Sequence, residues 1–239
     1  MFSRKDLGGG SDGERFSEAL STLKRQGATM LVVGSVRPEQ RRDVSGRLLG
    51  ETGAQPRRRV LVETTGETHD ASRLLGDESR EDATTLVRYA THARSTASAA
   101  GSNDSETVSP SVGDSPITTT TLADLGIAIS TAIEEFETDT NGMAPAELRV
   151  GIDSLVPLLE EYGSERVFKF VHLTNGRTRD VDGMIHYHLP MDRDADVVSV
   201  LTPLFDVVIE LREHDDRYQE RWTITDGDHS SGWLSVAQS

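Results

Sequence analysis

Short apolar runs that alternate with amphipathic stretches constrain the fold of this chain more than any other feature. Thr29–Gly34 and Arg59–Glu63 are short and almost continuously apolar, which is typical of strands buried on both faces of a parallel sheet. Between them, Pro38 can occupy the first position of a helix whose apolar stripe ends at Gly50. This alternation predicts an α/β fold with a mostly parallel sheet and right-handed crossovers.

The pattern continues through the rest of the chain. A lead-in helix ends near Gly27, and the last two strands, joined by the polar turn 213–216, predict an antiparallel hairpin at one sheet edge. Apolar periodicity predicts further strands at 84–89, 148–154, 184–189, 207–211 and 218–225, and helices at 122–136, 155–163, 165–174 and 195–204. The third of these helices should close at Asn175-Gly176.

Composition changes sharply in two places and divides the chain. Residues 1–13 are rich in Gly, Ser and Asp and predict a disordered N-terminus. Thirteen of the thirty residues in 91–120 are Ser or Thr, which indicates a flexible insertion. We therefore expect one α/β domain over 14–229, interrupted at 91–120 and followed by a C-terminal tail at 230–239.

The charge balance excludes some classes of function. The net charge is −15, and Lys occurs only at positions 5, 24 and 169. Acid spread along the chain favours adaptation to a high-salt cytoplasm, with an acidic interaction surface as the alternative. Such a surface disfavours general nucleic-acid binding. Cysteine is absent, so disulfides and thiolate metal sites are excluded.

The sequence also lacks the marks of a membrane or secreted protein. No apolar run approaches the roughly 20 residues that a membrane-spanning helix needs, and the N-terminus has no apolar region of a signal peptide. We expect a soluble, cytoplasmic protein without a membrane partner.

Three segments resemble the RecA/KaiC-like branch of the P-loop NTPases. LVVGSVRPEQRRDVSGRLLG is similar to the first strand, phosphate loop and helix of that family, LRVGIDSLVPLL to its second acidic strand, and LFDVVIELRE to its late strand. The resemblance covers much of 14–90 and 121–225, and the layout is similar to that of a group of short haloarchaeal proteins. It implies a three-layer RecA-like sheet flanked by helices, with Asp153 at the place where a family Asp holds magnesium.

The phosphate loop departs from the family pattern. A working loop reads G-x-x-x-x-G-K-[ST], with glycines that admit phosphate, a Lys for the outer phosphates and a hydroxyl for magnesium. Counted from Gly34, these places hold Glu39, Gln40 and Arg41. Conventional ATP binding and hydrolysis are disfavoured, so we expect no enzymatic activity and no cofactor.

Two groups of residues remain candidates for binding an anion or magnesium. Arg37, Arg41 and Arg42 at a helix N-terminus oppose the helix dipole, so they either hold a phosphate or pair with acidic neighbours. Asp153 either binds magnesium through water or is a strand-end acid that caps a helix or meets an Arg. Ser154 is expected to cap the next helix; it lacks the G-x-S-x-G setting of a nucleophile.

His186 and His188 lie on one face of a predicted strand, with two acids shortly after them. Two His at this spacing can share a metal such as zinc. The other interpretation is a half-polar strand face that abuts a helix, and the absence of a third nitrogen or sulfur ligand nearby favours it.

The leading functional hypothesis is a degenerate RecA/KaiC-like domain that acts without catalysis as a regulatory or protein-interaction module, with a protein partner or as a homo-oligomer. The alternative is an ATP-binding protein or weak ATPase that uses Gly34, the three Arg residues, Asp153 and magnesium. In that case Lys169 of another subunit could supply the missing lysine. A third possibility is a scaffold that binds its assembly through 91–120.

Overall fold

The computed structural model describes residues 11–50, 56–66, 83–90, 116–140, 142–226 and 229–236. Within these ranges the chain forms five α-helices and nine strands. In chain order they are α1 Ser11–Gln26, β1 Ala28–Val33, α2 Pro38–Leu49, β2 Arg58–Glu63, β3 Ala83–Tyr89, β4 Ile117–Thr119, α3 Leu122–Thr140, β5 Leu148–Ile152, α4 Val156–Arg179, β6 Met184–Leu189, α5 Asp196–Leu201, a 3-10 turn Thr202–Leu204, β7 Val207–His214, β8 Arg217–Ile224 and β9 His229–Ser235.

All nine strands belong to one sheet, in the order β4-β3-β2-β5-β6-β1-β7-β8-β9. Every neighbouring pair from β4 to β7 is parallel, and β7-β8-β9 are antiparallel. The predicted α/β class, with a mostly parallel sheet and an antiparallel edge, is confirmed. None of the helices described is long and apolar enough to cross a membrane.

Helices cover both faces of the sheet, which gives three layers. In the central strand β1, Leu31 and Val33 point into the core formed with α3, α4 and α5. Met30 and Val32 point into a second core formed with α1 and α2. All four are essentially inaccessible to solvent, which explains why the strand reads as a continuous apolar run.

The sheet reverses its winding between β1 and β6. The helix after β1 covers one face, whereas the helix after β6 covers the other. In open α/β sheets the crevice beyond the carboxyl ends of such a strand pair is the usual place for a ligand. The segments after β1 and β6 are therefore the first place to look for a site.

The predicted helix boundary at Asn175-Gly176 is wrong, because α4 continues to Arg179. Asn175 is buried, and its side-chain amide binds residues outside the helix. The amide nitrogen donates to the Leu204 carbonyl at 2.8 Å, and the amide oxygen accepts from the Tyr187 hydroxyl at 2.9 Å. The break predicted at Gly163 is present as a kink, where φ is 74°.

Regular structure also extends into segments predicted to be irregular. β4 lies inside the predicted insertion 91–120 and pairs with β3, with Ile117 opposite Val87. β9 occupies most of the predicted tail and pairs with β8. Helix α1 begins at Ser11, within the predicted disordered segment. The predictions for 1–10, 91–115 and 237–239 lie outside the described residues.

Candidate functional site

The loop after β1 packs tightly against β7. Gly34 has φ 117°, and a Cβ atom placed there would lie 2.2 Å from the Leu211 carbonyl oxygen. Its N–H donates to the Met191 carbonyl, in the segment after β6, at 2.8 Å. Gly34 is therefore required for packing between three neighbouring strand ends, whether or not it binds a ligand.

Most backbone N–H groups of this loop are already used. Those of Gly34 and Val36 donate to Met191 and Gly34 carbonyls, and those of Gln40 and Arg41 both donate to the Arg37 carbonyl. Position 38 is proline, which has no N–H. A phosphate cradle needs several free N–H groups pointing at one centre, and five of the eight positions from 34 to 41 cannot supply one.

Two of the three predicted anion-binding arginines point away from the loop. Arg37 donates to Glu213 of the β7-β8 hairpin at 2.7 Å and lies 5.5 Å from the centre of the Tyr218 ring. Arg42 pairs with Glu39 of its own helix at 3.6 Å. Arg37 and Arg42 therefore pair with acidic neighbours, the alternative to phosphate binding that the sequence left open.

The structure brings the third arginine, Arg41, toward the two histidines. His186 and His188 are both 2 % exposed and face α2, where the Ser45 hydroxyl lies 3.2 Å from one Nε2 and 2.7 Å from the other. Within the described part of the chain, His188 Nδ1 and Arg41 Nε are buried without a hydrogen-bond partner. The predicted pairing of both histidines on one strand face is therefore observed, with a helix against that face.

Burial keeps both histidines neutral. It lowers the pKa of His186 to about 3, with a further contribution from the charge of Arg149. Burial also lowers the pKa of His188 well below its usual value, and the neighbouring His186 and Arg41 act in the same direction. Among the residues described, no group of three or more His, Asp or Glu side chains is placed to hold a metal ion.

Asp153 joins the ends of β5 and β2. The N–H and hydroxyl groups of Thr64 and Thr65 lie 2.7 to 3.3 Å from its two carboxylate oxygens. β6 separates its strand from β1, so this carboxylate and the α2 N-terminus do not lie on adjacent strands. The single proton of the Thr64 hydroxyl is shared with the Ser154 carbonyl, which lies 2.6 Å away. Magnesium at Asp153 would therefore compete with at least three hydrogen-bond donors. Ser154 Oγ accepts from the N–H of Val156, the first residue of α4, at 3.2 Å. The residue at the N-cap position is Leu155, so Ser154 lies one position before the predicted cap.

Two arginines bind the C-terminal end of α2, a role that the sequence analysis did not predict. Arg59 is 2 % exposed and donates to the Leu49 carbonyl at 3.1 Å, and Arg149 donates to the Leu48 carbonyl at 3.1 Å. Cations at a helix C-terminus complement its negative end. Arg59 and Arg149 therefore stabilise the C-terminal end of α2. The sequence analysis also did not identify Ser45 or the pair Thr64-Thr65 as site residues. Thr64 and Thr65 come directly after strand β2, and polar residues in that position are a usable signal. Ser45 lies within α2 and carries no such signal.

A second concave surface lies away from the sheet edge, between α3 and α4. It is an apolar groove of about 830 Å³ in which Ile127 and Leu173 are 63 % and 70 % exposed. Its charged residues are Glu134 on α3 and Arg166 and Lys169 on α4. Lys169, the lysine considered for a shared nucleotide site, donates to Glu165 at 2.7 Å.

Comparison with known proteins identifies a family without assigning an activity. No curated protein matches the chain. The model of a family of unknown function (DUF7504) matches residues 27–211, which run from the start of β1 into β7. The matched residues include the loop 34–41, Asp153 and the two histidines. Because this match covers more than half of the sequence, the chain belongs to the DUF7504 family.

Proposed function

We propose that this chain is a degenerate RecA/KaiC-like domain that acts without catalysis as a regulatory or protein-interaction module. The observation that carries the proposal is the loop 34–41, where four N–H groups are bonded within the protein and a fifth position is proline. The places that hold the second glycine, the lysine and the hydroxyl in the phosphate loop of P-loop NTPases are occupied here by Glu39, Gln40 and Arg41. With no lysine and with five of its eight positions unable to offer an N–H group, this loop lacks most of the donors that stabilise a transferring phosphoryl group in P-loop NTPases.

The groove between α3 and α4 supports the interaction part of the proposal. Isolated exposed apolar side chains are ordinary, but Ile127 and Leu173 line one continuous apolar groove. Apolar grooves with a charged rim are typical of surfaces that bind other proteins.

The test is calorimetric titration of the purified protein with ATP and magnesium in molar KCl, with melting temperature as a second measurement. We expect no heat and no shift at millimolar ATP. An Asp153→Ala variant, checked for folding by circular dichroism, is the control. Binding that this variant loses would contradict the proposal and would make hydrolysis worth assaying.

One observation favours the alternative of a nucleotide or anion site. Arg41 Nε and His188 Nδ1 are buried without partners, as far as the described residues show, and they lie near the switch point between β1 and β6. A phosphate oxygen there would accept from Arg41, and from His188 when its tautomer carries the proton on Nδ1.

Arg41→Gln tests this alternative because it removes the charge and retains polar character. If the alternative is correct, ATP or inorganic phosphate raises the melting temperature of the unmodified protein, and the variant loses that increase. An Arg42→Gln variant is the matched control, since Arg42 pairs with Glu39 on the exposed side of the same helix.

A further inference from the structure

We infer that α2 and β6 share a directional hydrogen-bond relay, in which the charge next to His188 sets the tautomers of both buried histidines. The members of the relay are, in order, Arg41, His188, Ser45 and His186. The relay is a regulatory device that goes beyond the proposed function, because it carries the sign of a charge at the sheet edge into the interior of the fold. It does not depend on nucleotide binding.

The order of the members follows from the course of α2 over the sheet. This helix begins beyond the carboxyl end of β1, and its last turn accepts a hydrogen bond from Arg149 near the start of β5. Arg41 is one turn before Ser45 on the same side of the helix, so it lies toward His188, the histidine nearer the end of its strand. Burial is the main cause of both lowered pKa values; after it come His186 and Arg41 for His188, and Arg149 for His186.

A single hydroxyl group lies between two neutral imidazole rings. Ser45 Oγ is 3.2 Å from His186 Nε2 and 2.7 Å from His188 Nε2, and it carries one proton. Both contacts are hydrogen bonds with every proton used only when Ser45 donates to one ring and accepts from the other. With a proton on each Nε2 atom, the hydroxyl proton would have no acceptor at either ring. The two histidines therefore have opposite tautomers.

The Nδ1 atom of His188 sets the direction. Over the described residues, this atom and Arg41 Nε are both buried without a partner. A proton on Nδ1 would be an unsatisfied buried donor next to a cation, whereas a lone pair there is attracted by the positive charge. His188 therefore carries its proton on Nε2 and donates to Ser45. Ser45 in turn donates to His186, whose own proton is on Nδ1.

A negative charge in place of Arg41 reverses the relay. Glu is a suitable probe, because its carboxylate oxygens are as many bonds from Cα as the Nε atom of Arg. Next to a carboxylate, His188 moves its proton to Nδ1 and donates to it, and its Nε2 accepts from Ser45. His186 Nε2 then takes the proton of its own ring and donates to Ser45. A phosphate or a partner's carboxylate bound at Arg41 would act in the same direction.

The experiment determines the tautomers from imidazole nitrogen chemical shifts, in long-range proton–nitrogen correlation spectra of the full chain labelled at histidine. The spectra are recorded at a pH of about 7.5, where histidine is neutral. The seven histidines are assigned with single His→Gln variants. In the unmodified protein we expect the Nε2–H form of His188 and the Nδ1–H form of His186, each exceeding its other form about tenfold or more.

Arg41→Glu should exchange the two forms at both histidines. An acidic residue in the first turn of a helix complements the helix dipole, and circular dichroism checks that the variant is folded. Arg42→Glu is the matched control. It makes the same change of charge one position along the chain, on a side chain that is 40 % exposed and pairs with Glu39, so it should leave both tautomers unchanged.

Ser45→Ala tests the transmission step. Without the hydroxyl, Arg41→Glu should still change the tautomer of His188 and should no longer change that of His186. The same tautomer at both histidines of the unmodified protein would overturn the inference, and this measurement needs no variant for its outcome. An unchanged His186 in Arg41→Glu, an equal effect of Arg42→Glu, or a change at His186 that persists without the hydroxyl would also overturn it. The spectra are recorded without ATP, so this inference and the proposed function fail separately.

Discussion

The two buried histidines give the fold an acid-sensitive point at the scale of single residues. Each is neutral in the folded chain, and burial is the main cause of the lowered pKa of both. Unfolding exposes them, and their pKa values return to about 6.5. The unfolded chain therefore binds protons that the folded chain does not bind once the pH falls below that value.

The sign of the pH effect follows from this difference. Stability from the neutral histidines is fully present above about pH 6.5 and decreases as the pH falls, by up to about 1.4 kcal/mol per pH unit for each histidine. We expect the double variant His186→Gln/His188→Gln to lose less stability between pH 7 and pH 5 than the unmodified protein. Urea unfolding at several pH values measures this, and exposed His172→Gln is the control. Equal slopes in all three proteins would contradict it.

At Gly151 the packing leaves no room for a Cβ atom. A Cβ atom there would lie 2.8 Å from His186 Cε1 and 3.3 Å from Leu49 Cδ2. We expect Gly151→Ala to destabilise the protein by about 1–3 kcal/mol through overpacking. Gly176→Ala is the control, since a Cβ at this helical position meets nothing within 4 Å and should stabilise α4 by up to about 1 kcal/mol. Equal effects of the two substitutions in chemical denaturation would refute this reading of the packing.

Strand periodicity predicts some residues of the candidate site, whereas contacts between distant parts of the chain could not be predicted. The sequence located Asp153 at a strand end and the two histidines on one strand face, because both follow from strand periodicity. It could not show that Arg37 reaches Glu213, 176 positions away, or that Ser45 would lie against both histidines. Such contacts depend on which strands are neighbours, and a single sequence does not specify that.

At the scale of elements, a buried ion pair joins α2 to β8 in the antiparallel part of the sheet. Arg47 makes two hydrogen bonds to Glu220, at 2.7 and 3.2 Å, and the Glu220 side chain is completely buried. The Trp222 indole N–H donates to the same carboxylate at 3.0 Å. The pair therefore joins a helix of the family core to a strand that lies beyond the matched residues 27–211.

Arg47→Met should destabilise the protein by about 3 kcal/mol, because it leaves a buried carboxylate without its cation. The cost is at the low end of the usual range since Arg47 is itself 30 % exposed. The double variant Arg47→Met/Glu220→Met should recover most of this loss. Thermal and urea unfolding of the three proteins measure it, and a single variant as stable as the unmodified chain would contradict the assignment.

Element boundaries show which parts of the fold the sequence could specify. Strands β1, β2 and β6 were predicted to within a residue or so, because short and largely apolar runs are typical of strands buried on both faces of a parallel sheet. In β6 the two histidines alternate with apolar residues and do not interrupt the pattern. The end of α4 was missed because Asn175 resembles a cap but binds Tyr187 and Leu204 instead. β9 was missed because its Ser- and Gly-containing sequence has little strand character. Arg212 and Arg221 stack on its Trp233, 3.6 and 4.6 Å from the ring centre, a contact visible only once β8 and β9 are paired.

For the whole molecule, the acidic composition predicts how stability responds to salt. With a net charge of −15, the compact state is destabilised by its own repulsion. Screening reaches over about 10 Å at 0.1 M salt and about 3 Å at 1 M. We therefore expect the melting temperature to rise as KCl increases from about 0.1 M toward molar concentrations, most steeply at the low end where the screening length changes most.

Salt also strengthens apolar burial in some cases, so the charge effect needs its own variant. Glu135, Asp139 and Glu160 are exposed, and replacing them with Gln, Asn and Gln changes the net charge from −15 to −12. If repulsion is the cause, this variant melts at a higher temperature at low KCl and shows a weaker dependence on KCl. A dependence equal to that of the unmodified protein would mean that KCl acts mainly on apolar burial. The excess acid would then be better explained as an interaction surface than as an adaptation to salt.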